Sequence, residues 1–176
     1  MSHCEKVMAK VILQRIQCRT DETLSEAQAG FRVKRSTIDQ LFTLRLLAEK
    51  YVDFGKFLNV CYVDFQKAFD SVWRTGFWRV ARFLGYDEKL VRLLEGRMSA
   101  VRVDGGLIEW FVTVIGVMHG CILSPLLFNI LLQVVMALAL DNWESGVKVT
   151  GTRLSNLRFA DDISLLANSE AVNFNS

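Results

Sequence analysis

From Trp110 to Leu140 the chain carries no Asp, Glu, Lys or Arg. A stretch of that length without charge has to be buried, either in a bilayer, which takes roughly 20 apolar residues in one helix, or in a protein core. Gly116, His119, Gly120, Ser124, Pro125, Asn129 and Gln133 break it up, and no clean apolar 20-mer occurs. Ser124 followed by Pro125 has the form of an N-cap and a first helical residue. The stretch therefore reads as a strand, a glycine turn and then a helix buried inside the protein, and a membrane protein is the remote alternative.

The rest of the chain can supply that core. Of its 176 residues 51% are hydrophobic and 23% charged, which suits one packed domain and excludes a disordered tail or a collagen-like repeat. The cysteines at 4, 18, 61 and 121 form no CxxC pair and only two histidines are present, so a zinc knuckle or disulfide framework is not expected. Reduced thiols in an intracellular compartment are the default, with nucleus and cytoplasm undistinguished. Glu5, Lys6 and Lys10 interrupt the first apolar residues, so no signal peptide is expected. Residues 1–104 carry 18 basic and 13 acidic side chains, and residues 105–176 carry 3 and 6. This asymmetry suggests a polyanion bound on one side and cation-binding carboxylates on the other.

Periodicity predicts a helix over residues 4–18, a polar break from Thr20 to Glu26, and a second helix opened by Ser36, Thr37 and Asp39 and stopped at Gly55. Phe57 to Phe65 reads as a buried central strand ending on Asp64. Helices follow at Thr75–Leu84 and Asp87–Met98, then a hairpin about Asp104-Gly105-Gly106, the buried helix Pro125–Asn142, and a second hairpin, Leu154–Ala160 and Ile163–Ala167, with Asp161-Asp162 at its tip. The order predicts an α+β fold with a small antiparallel sheet packed on helices.

A strand ending on Asp64 and a hairpin tip holding Asp161 and Asp162 can gather three carboxylates. Such a group repels itself unless a cation neutralises it, and an all-oxygen site suits Mg²⁺. Asp-Asp is also a common turn pair and a strand-end Asp a common cap, so spacing alone leaves both readings open.

Tyr62-Val63-Asp64-Phe65-Gln66-Lys67-Ala68-Phe69-Asp70, the segment Gly116 to Asn129, and Phe159-Ala160-Asp161-Asp162 resemble, in order, three catalytic motifs of reverse transcriptases. Gln28-Ala29-Gly30-Phe31-Arg32, continued by Arg35-Ser36-Thr37 and Asp39-Gln40, resembles the fingers segment of the LINE-type, non-LTR retrotransposon enzymes. The resemblance runs from about Cys4 to Ala167. It implies a right-hand polymerase fragment, with fingers over about 1–56, a palm with inserted fingers helices over about 57–167, and a tail over 168–176.

The resemblance further implies that Asp64, Asp161 and Asp162 form a catalytic triad binding two Mg²⁺ ions, with Mn²⁺ as a substitute. Asp64 and Asp161 would be the principal ligands, the Phe65 carbonyl a further one, and Asp162, one step along a strand, would tend to face the other way. Phe69 stands where the family has its steric gate against ribonucleotides, although a core aromatic is its plain structural reading. Gly120 lets the backbone approach the incoming deoxynucleoside triphosphate, and His119 stands beside it. Arg32, Lys34 and Arg35, with Arg74 and Arg79, are candidates for phosphate contacts to an RNA template and a DNA primer; a solvated helix face is the alternative for each.

Met118-His119-Gly120 replaces the family's usual Arg-Gln-Gly. The triphosphate-binding fingers motifs, the later lysine motif, the primer grip and the thumb have no counterpart here, so a longer polyprotein is expected to supply them. Two functions follow: an RNA-directed DNA polymerase domain, or a non-catalytic remnant that at most binds nucleic acid.

Overall fold

The structure is a computed structural model describing residues 3–96, 102–103, 106–107, 115–117, 121–143, 145–149 and 151–168. Among them are five helices, α1 (His3–Thr23), α2 (Thr37–Asp53), α3 (Arg74–Phe83), α4 (Glu88–Glu95) and α5 (Ser124–Ala139). The strands are β1 (Asn59–Val63), β2 (Arg102–Val103), β3 (Gly106–Leu107), β4 (Val147–Val149), β5 (Thr152–Leu154), β6 (Asn156–Phe159) and β7 (Asp162–Ala167). The α+β expectation is borne out. No helix among the described residues is long and apolar enough to cross a membrane.

The chain divides into two compact units, Met1–Thr23 with Lys67–Val134, and Leu24–Gln66 with Val135–Ser176. In the first, Ala9, Ile12 and Ile16 of α1 pack with Phe77, Trp78 and Ala81 of α3, Val91 and Leu94 of α4, and Leu126 and Ile130 of α5. The first half of the uncharged helix, with Leu126, Phe128, Ile130 and Leu132, is thus buried in protein, whereas Val135 and Leu138 near its end are exposed. β2 and β3 pair through Arg102↔Leu107 and Val103↔Gly106, the register of the expected hairpin. Its turn residues Asp104 and Gly105 lie outside the described residues, as do Arg97 and Met98 of the expected fourth helix.

Helix α1 runs to Thr23, past the polar break expected at Thr20. Thr20 is fully buried; its hydroxyl lies 2.8 Å from the Ile16 carbonyl, to which it donates, and 2.8 Å from the Tyr86 hydroxyl. A polar residue continues a helix when its side chain is satisfied in this way. Burial pushes the Tyr86 hydroxyl above its ordinary value of 10.0, against the lowering effect of Thr20. The neutral phenol therefore contributes stability that is complete below about pH 10 and lost as pH rises through the higher folded value. Tyr86→Phe should cost roughly 0.5–1.5 kcal/mol at neutral pH and remove that alkaline loss, as urea titrations from pH 8 to 11 would record.

In the second unit the sheet order is β1-β7-β6, all antiparallel. Among the described residues β1 is therefore an edge strand, not the buried central strand that its apolar sequence suggested. Cys61 and Tyr62 are exposed, and the buried centre is β7, with Ile163, Leu166 and Ala167. Leu47 of α2, Leu157 and Leu166 form the core under this sheet with Val147 of β4. α2 starts where expected: Ser36 accepts from the Asp39 N–H, and Asp39 accepts from the Ser36 N–H in return. The hairpin β4–β5 was not foreseen from the sequence.

Candidate active site

β1 ends at Val63, which pairs with Ile163 of β7. The ladder ends there, and Asp64 follows directly on β1 at the sheet end where β7 begins with Asp162. The β6–β7 hairpin closes on the pair Phe159↔Asp162, so its turn residues are Ala160 and Asp161, one position earlier than the expected Asp161-Asp162 tip. A two-residue hairpin turn needs positive φ, ordinarily supplied by Gly or Asn. Here Ala160 takes it, at φ 57°.

The sheet thus carries Asp64, Asp161 and Asp162 to one end. Asp64 and Asp162 are exposed and Asp161 is half-buried. Their carboxylates make no hydrogen bond or ion pair among the described residues. This is an oxygen-only, solvent-facing donor set, which fits a hard divalent cation. Among the described residues no three Asp, Glu, His or Cys side chains converge as a ready metal cage. Mg²⁺ does not require one, because it ordinarily keeps several waters and takes substrate phosphate oxygens beside one or two carboxylates. Asp162 opens β7, and Asp64 stands one residue past the end of β1. Phe65, the proposed carbonyl ligand, follows directly and is 36% exposed.

Ala27–Gly30 runs beside the other edge of the hairpin. The Arg158 N–H donates to the Ala27 carbonyl at 2.8 Å and the Ala29 N–H to the Arg158 carbonyl at 2.9 Å, a parallel bridge along β6. Arg158 is 3% exposed, and burial pulls its guanidinium down to about 10.

The expected phosphate-binding cluster is dispersed. Arg32 turns inward and donates to the Ser25 and Gln28 carbonyls at 3.0 and 3.1 Å, bracing its own loop. Arg35 forms an ion pair with Glu26. Lys34 is exposed, at φ 62°.

In the first unit Phe69 is half-buried, and its ring lies 4.7 Å from that of Phe128, itself buried on α5. Gly116, at φ 84°, donates to the Val72 carbonyl at 2.8 Å, and Val117 donates to Phe69 at 3.0 Å. A Cβ at Gly116 would sit 3.1 Å from the Asp70 carbonyl oxygen. The start of the second motif is thereby seated on the end of the first. Arg74 lies over the Trp78 ring at 5.9 Å, and Arg79 is exposed. Arg82 is engaged by Glu88 and Glu95, which with Arg92 offsets part of the basic surface expected there. His119 and Gly120 lie outside the described residues.

Residues 1–173 match the family model described as reverse transcriptase (RNA-dependent DNA polymerase). The chain belongs to the reverse transcriptase family. As a reverse transcriptase domain it is 27% identical, over 95% of its length, to the RNA-directed DNA polymerase from mobile element jockey of Drosophila funebris. It is 29% identical, over 98% of its length, to the probable RNA-directed DNA polymerase from transposon BS of Drosophila melanogaster. It is 27% identical, over 97%, to the Pol polyprotein from a type-1 retrotransposable element R2 of Popillia japonica. These relatives are polymerases of non-LTR retrotransposons. The chain spans 18%, 19% and 24% of their respective lengths.

Gln28, Gly30 and Arg158 were not expected near the carboxylates, and they lie against or within the hairpin that carries Asp161. Gln28 and Gly30 belong to the segment that resembles the family's fingers, and Arg158 directly precedes Phe159-Ala160-Asp161-Asp162. For Arg158 the available signal was a charged residue in the strand that leads into Phe159-Ala160-Asp161-Asp162.

Proposed function

We infer that this chain is the part of an RNA-directed DNA polymerase that holds the catalytic carboxylates, within a retrotransposon polyprotein copying an RNA template onto a DNA primer. The observation that carries this reading is the β1-β7-β6 sheet, which brings Asp64 to the same end as the Asp161-Asp162 hairpin. Residues 1–56 then serve as part of the fingers and 57–167 as the palm with its inserted helices. Two Mg²⁺ ions bound by Asp64, Asp161 and Asp162 would activate the primer 3′-hydroxyl and neutralise the triphosphate. The three carboxylates orient the reacting groups, Gly120 admits the nucleotide to the backbone, and Phe69 presses against the sugar so that a 2′-hydroxyl is excluded. Lys34, Arg74 and Arg79 contact template and primer phosphates. The reaction belongs inside the cell, where deoxynucleoside triphosphates are found.

The test is template-directed incorporation by a longer chain that supplies the segments flanking residues 1–173 in its relatives. Incorporation that depends on RNA template, DNA primer and Mg²⁺ supports the reading, and its absence with a folded, nucleic-acid-binding protein supports the remnant. In the active protein Phe69→Val should raise ribonucleotide use relative to deoxynucleotides. Unchanged discrimination together with a lower melting temperature would make Phe69 a packing partner of Phe128 alone.

One observation favours the non-catalytic reading, namely His119 in place of the family's Gln. A neutral imidazole offers one donor and one acceptor and loses the acceptor on protonation near pH 6.5, whereas a Gln amide keeps both at every working pH. His119→Gln should therefore lower the nucleotide KM and flatten its dependence between pH 6 and 8. The gain expected is one hydrogen bond, about 2- to 10-fold in kcat/KM. Parallel pH profiles in steady-state incorporation would show that His119 is no impairment.

A further inference from the structure

Gln28 is 1% exposed, and a glutamine so deeply buried must have its amide satisfied by protein groups. Its Oε1 accepts from the Ala160 N–H at 2.9 Å and from the Gly30 N–H at 2.8 Å. Its Nε2 donates to the Ala160 carbonyl at 3.2 Å. One side chain thus takes both backbone polar groups of Ala160, a turn residue that the hairpin ladder does not pair. Ala160 is 5% exposed at φ 57°, a conformation that an L-residue keeps only when its surroundings over-determine it. Gly30 closes the other side, since a Cβ there would come within 2.1 Å of the Ala160 nitrogen. The next residue in the chain is Asp161.

Resting on the reading that Asp161 binds a divalent cation, we propose that Gln28 is a positioning residue: its amide clamps the turn at Ala160 and so sets the direction in which Asp161 presents its carboxylate. The clamp is made by side chain on backbone, so it holds the turn without touching the cation, the nucleotide or the primer. An apolar residue of similar length would fill the same space and leave the Ala160 N–H and carbonyl without partners, which frees the turn to leave its left-handed conformation. The Asp161 carboxylate would then sample several directions, and the cation would bear the cost of ordering it.

The experiment uses the 176-residue chain and Mn²⁺ as the probe. Free Mn²⁺ is counted by electron paramagnetic resonance, and amide exchange is followed by NMR. Variants are Gln28→Leu, Asp161→Asn and, as a control in the core of the same unit, Leu47→Val. Gln28→Leu should raise the Mn²⁺ Kd about fivefold or more and speed exchange of the Ala160 amide by about a hundredfold. Leu47→Val should lower the melting temperature while leaving the Kd within about twofold and the Ala160 amide protected. A folded Gln28→Leu protein that binds Mn²⁺ as the wild type does, with Ala160 still protected, would overturn the proposal. Should Gln28→Leu fail to fold, the wild type decides. Its Ala160 amide should exchange as slowly as the Leu165 amide of β7, and exchange at the rate of an open turn would overturn the clamp. If Asp161→Asn binds Mn²⁺ like the wild type, the metal reading is what has failed, and the clamp itself stands or falls on the exchange rates.

Discussion

Asp64→Asn and Asp161→Asn should each lower template-directed incorporation by about a thousandfold or more, without lowering the melting temperature. A bound metal supplies several kcal/mol of transition-state charge stabilisation, and each 1.36 kcal/mol is tenfold in rate. Loss of about 4 kcal/mol therefore gives a thousandfold. Stability should move the other way. The carboxylates of Asp64, Asp161 and Asp162 have no hydrogen-bond or ion-pair partner among the described residues, and they share one sheet end. Removing one negative charge relieves repulsion and breaks no bond. Asp53→Asn, at the exposed end of α2, is the matched control and should leave the rate unchanged. The check is single-nucleotide incorporation beside thermal unfolding of each variant. A melting temperature that falls with the rate would mean that the carboxylates serve structure.

Gly30→Ala should destabilise the second unit by about 3 kcal/mol, the upper range for forcing extra volume into a packed site. The new Cβ would lie 2.1 Å from the Ala160 nitrogen and 2.9 Å from both the Ala160 Cα and the Phe159 carbonyl carbon. These are backbone atoms of the hairpin, so no side chain can swing aside to absorb the clash. Either Ala27–Gly30 peels from β6 or the turn shifts. In a chain of this size the loss corresponds to roughly 6–12 °C in Tm. Gly55→Ala provides the contrast. Gly55, unlike Gly30, has positive φ, 61°, but nothing stands within 4 Å of a Cβ there, so only the local backbone cost, on the order of 1 kcal/mol, applies. Equal losses in the two variants would show that the close approach at Gly30 contributes little.

The elements were legible wherever short-range rules decide them. Ser36 and Asp39 cap α2 reciprocally, so its start is written in four consecutive residues. The uncharged stretch ending at Leu140 called for burial, and α5 meets it through Leu132, while Val135 and Leu138 stay exposed. What the sequence left open depends on partners far along the chain. Apolar composition marks Asn59–Val63 as a strand but does not say which strand lies at the centre. That is set by β7 pairing with both β1 and β6. Thr20 reads as a helix breaker until Tyr86 is placed against it. Gln28 is visible in the sequence only as part of the fingers-like segment, and its burial depends on Ala160, 132 positions later, whose two backbone groups it satisfies. The carboxylates were visible as residues and as a family pattern. The positive-φ alanine that sets their hairpin was not, since alanine carries no turn signal of its own. Arg32 failed as a surface cation for a similar reason, because its partners are the carbonyls of its own loop.

As proposed above, the sheet end formed by β1 and the β6–β7 hairpin binds a divalent cation. The most direct measurement is Mn²⁺ titration of the 176-residue chain by electron paramagnetic resonance, for the wild type, Asp64→Asn, Asp161→Asn and Asp53→Asn. Binding should be saturable, weaken at least tenfold in Asp64→Asn and in Asp161→Asn, and be unchanged in Asp53→Asn. Equal Mn²⁺ affinity in all four proteins would contradict it.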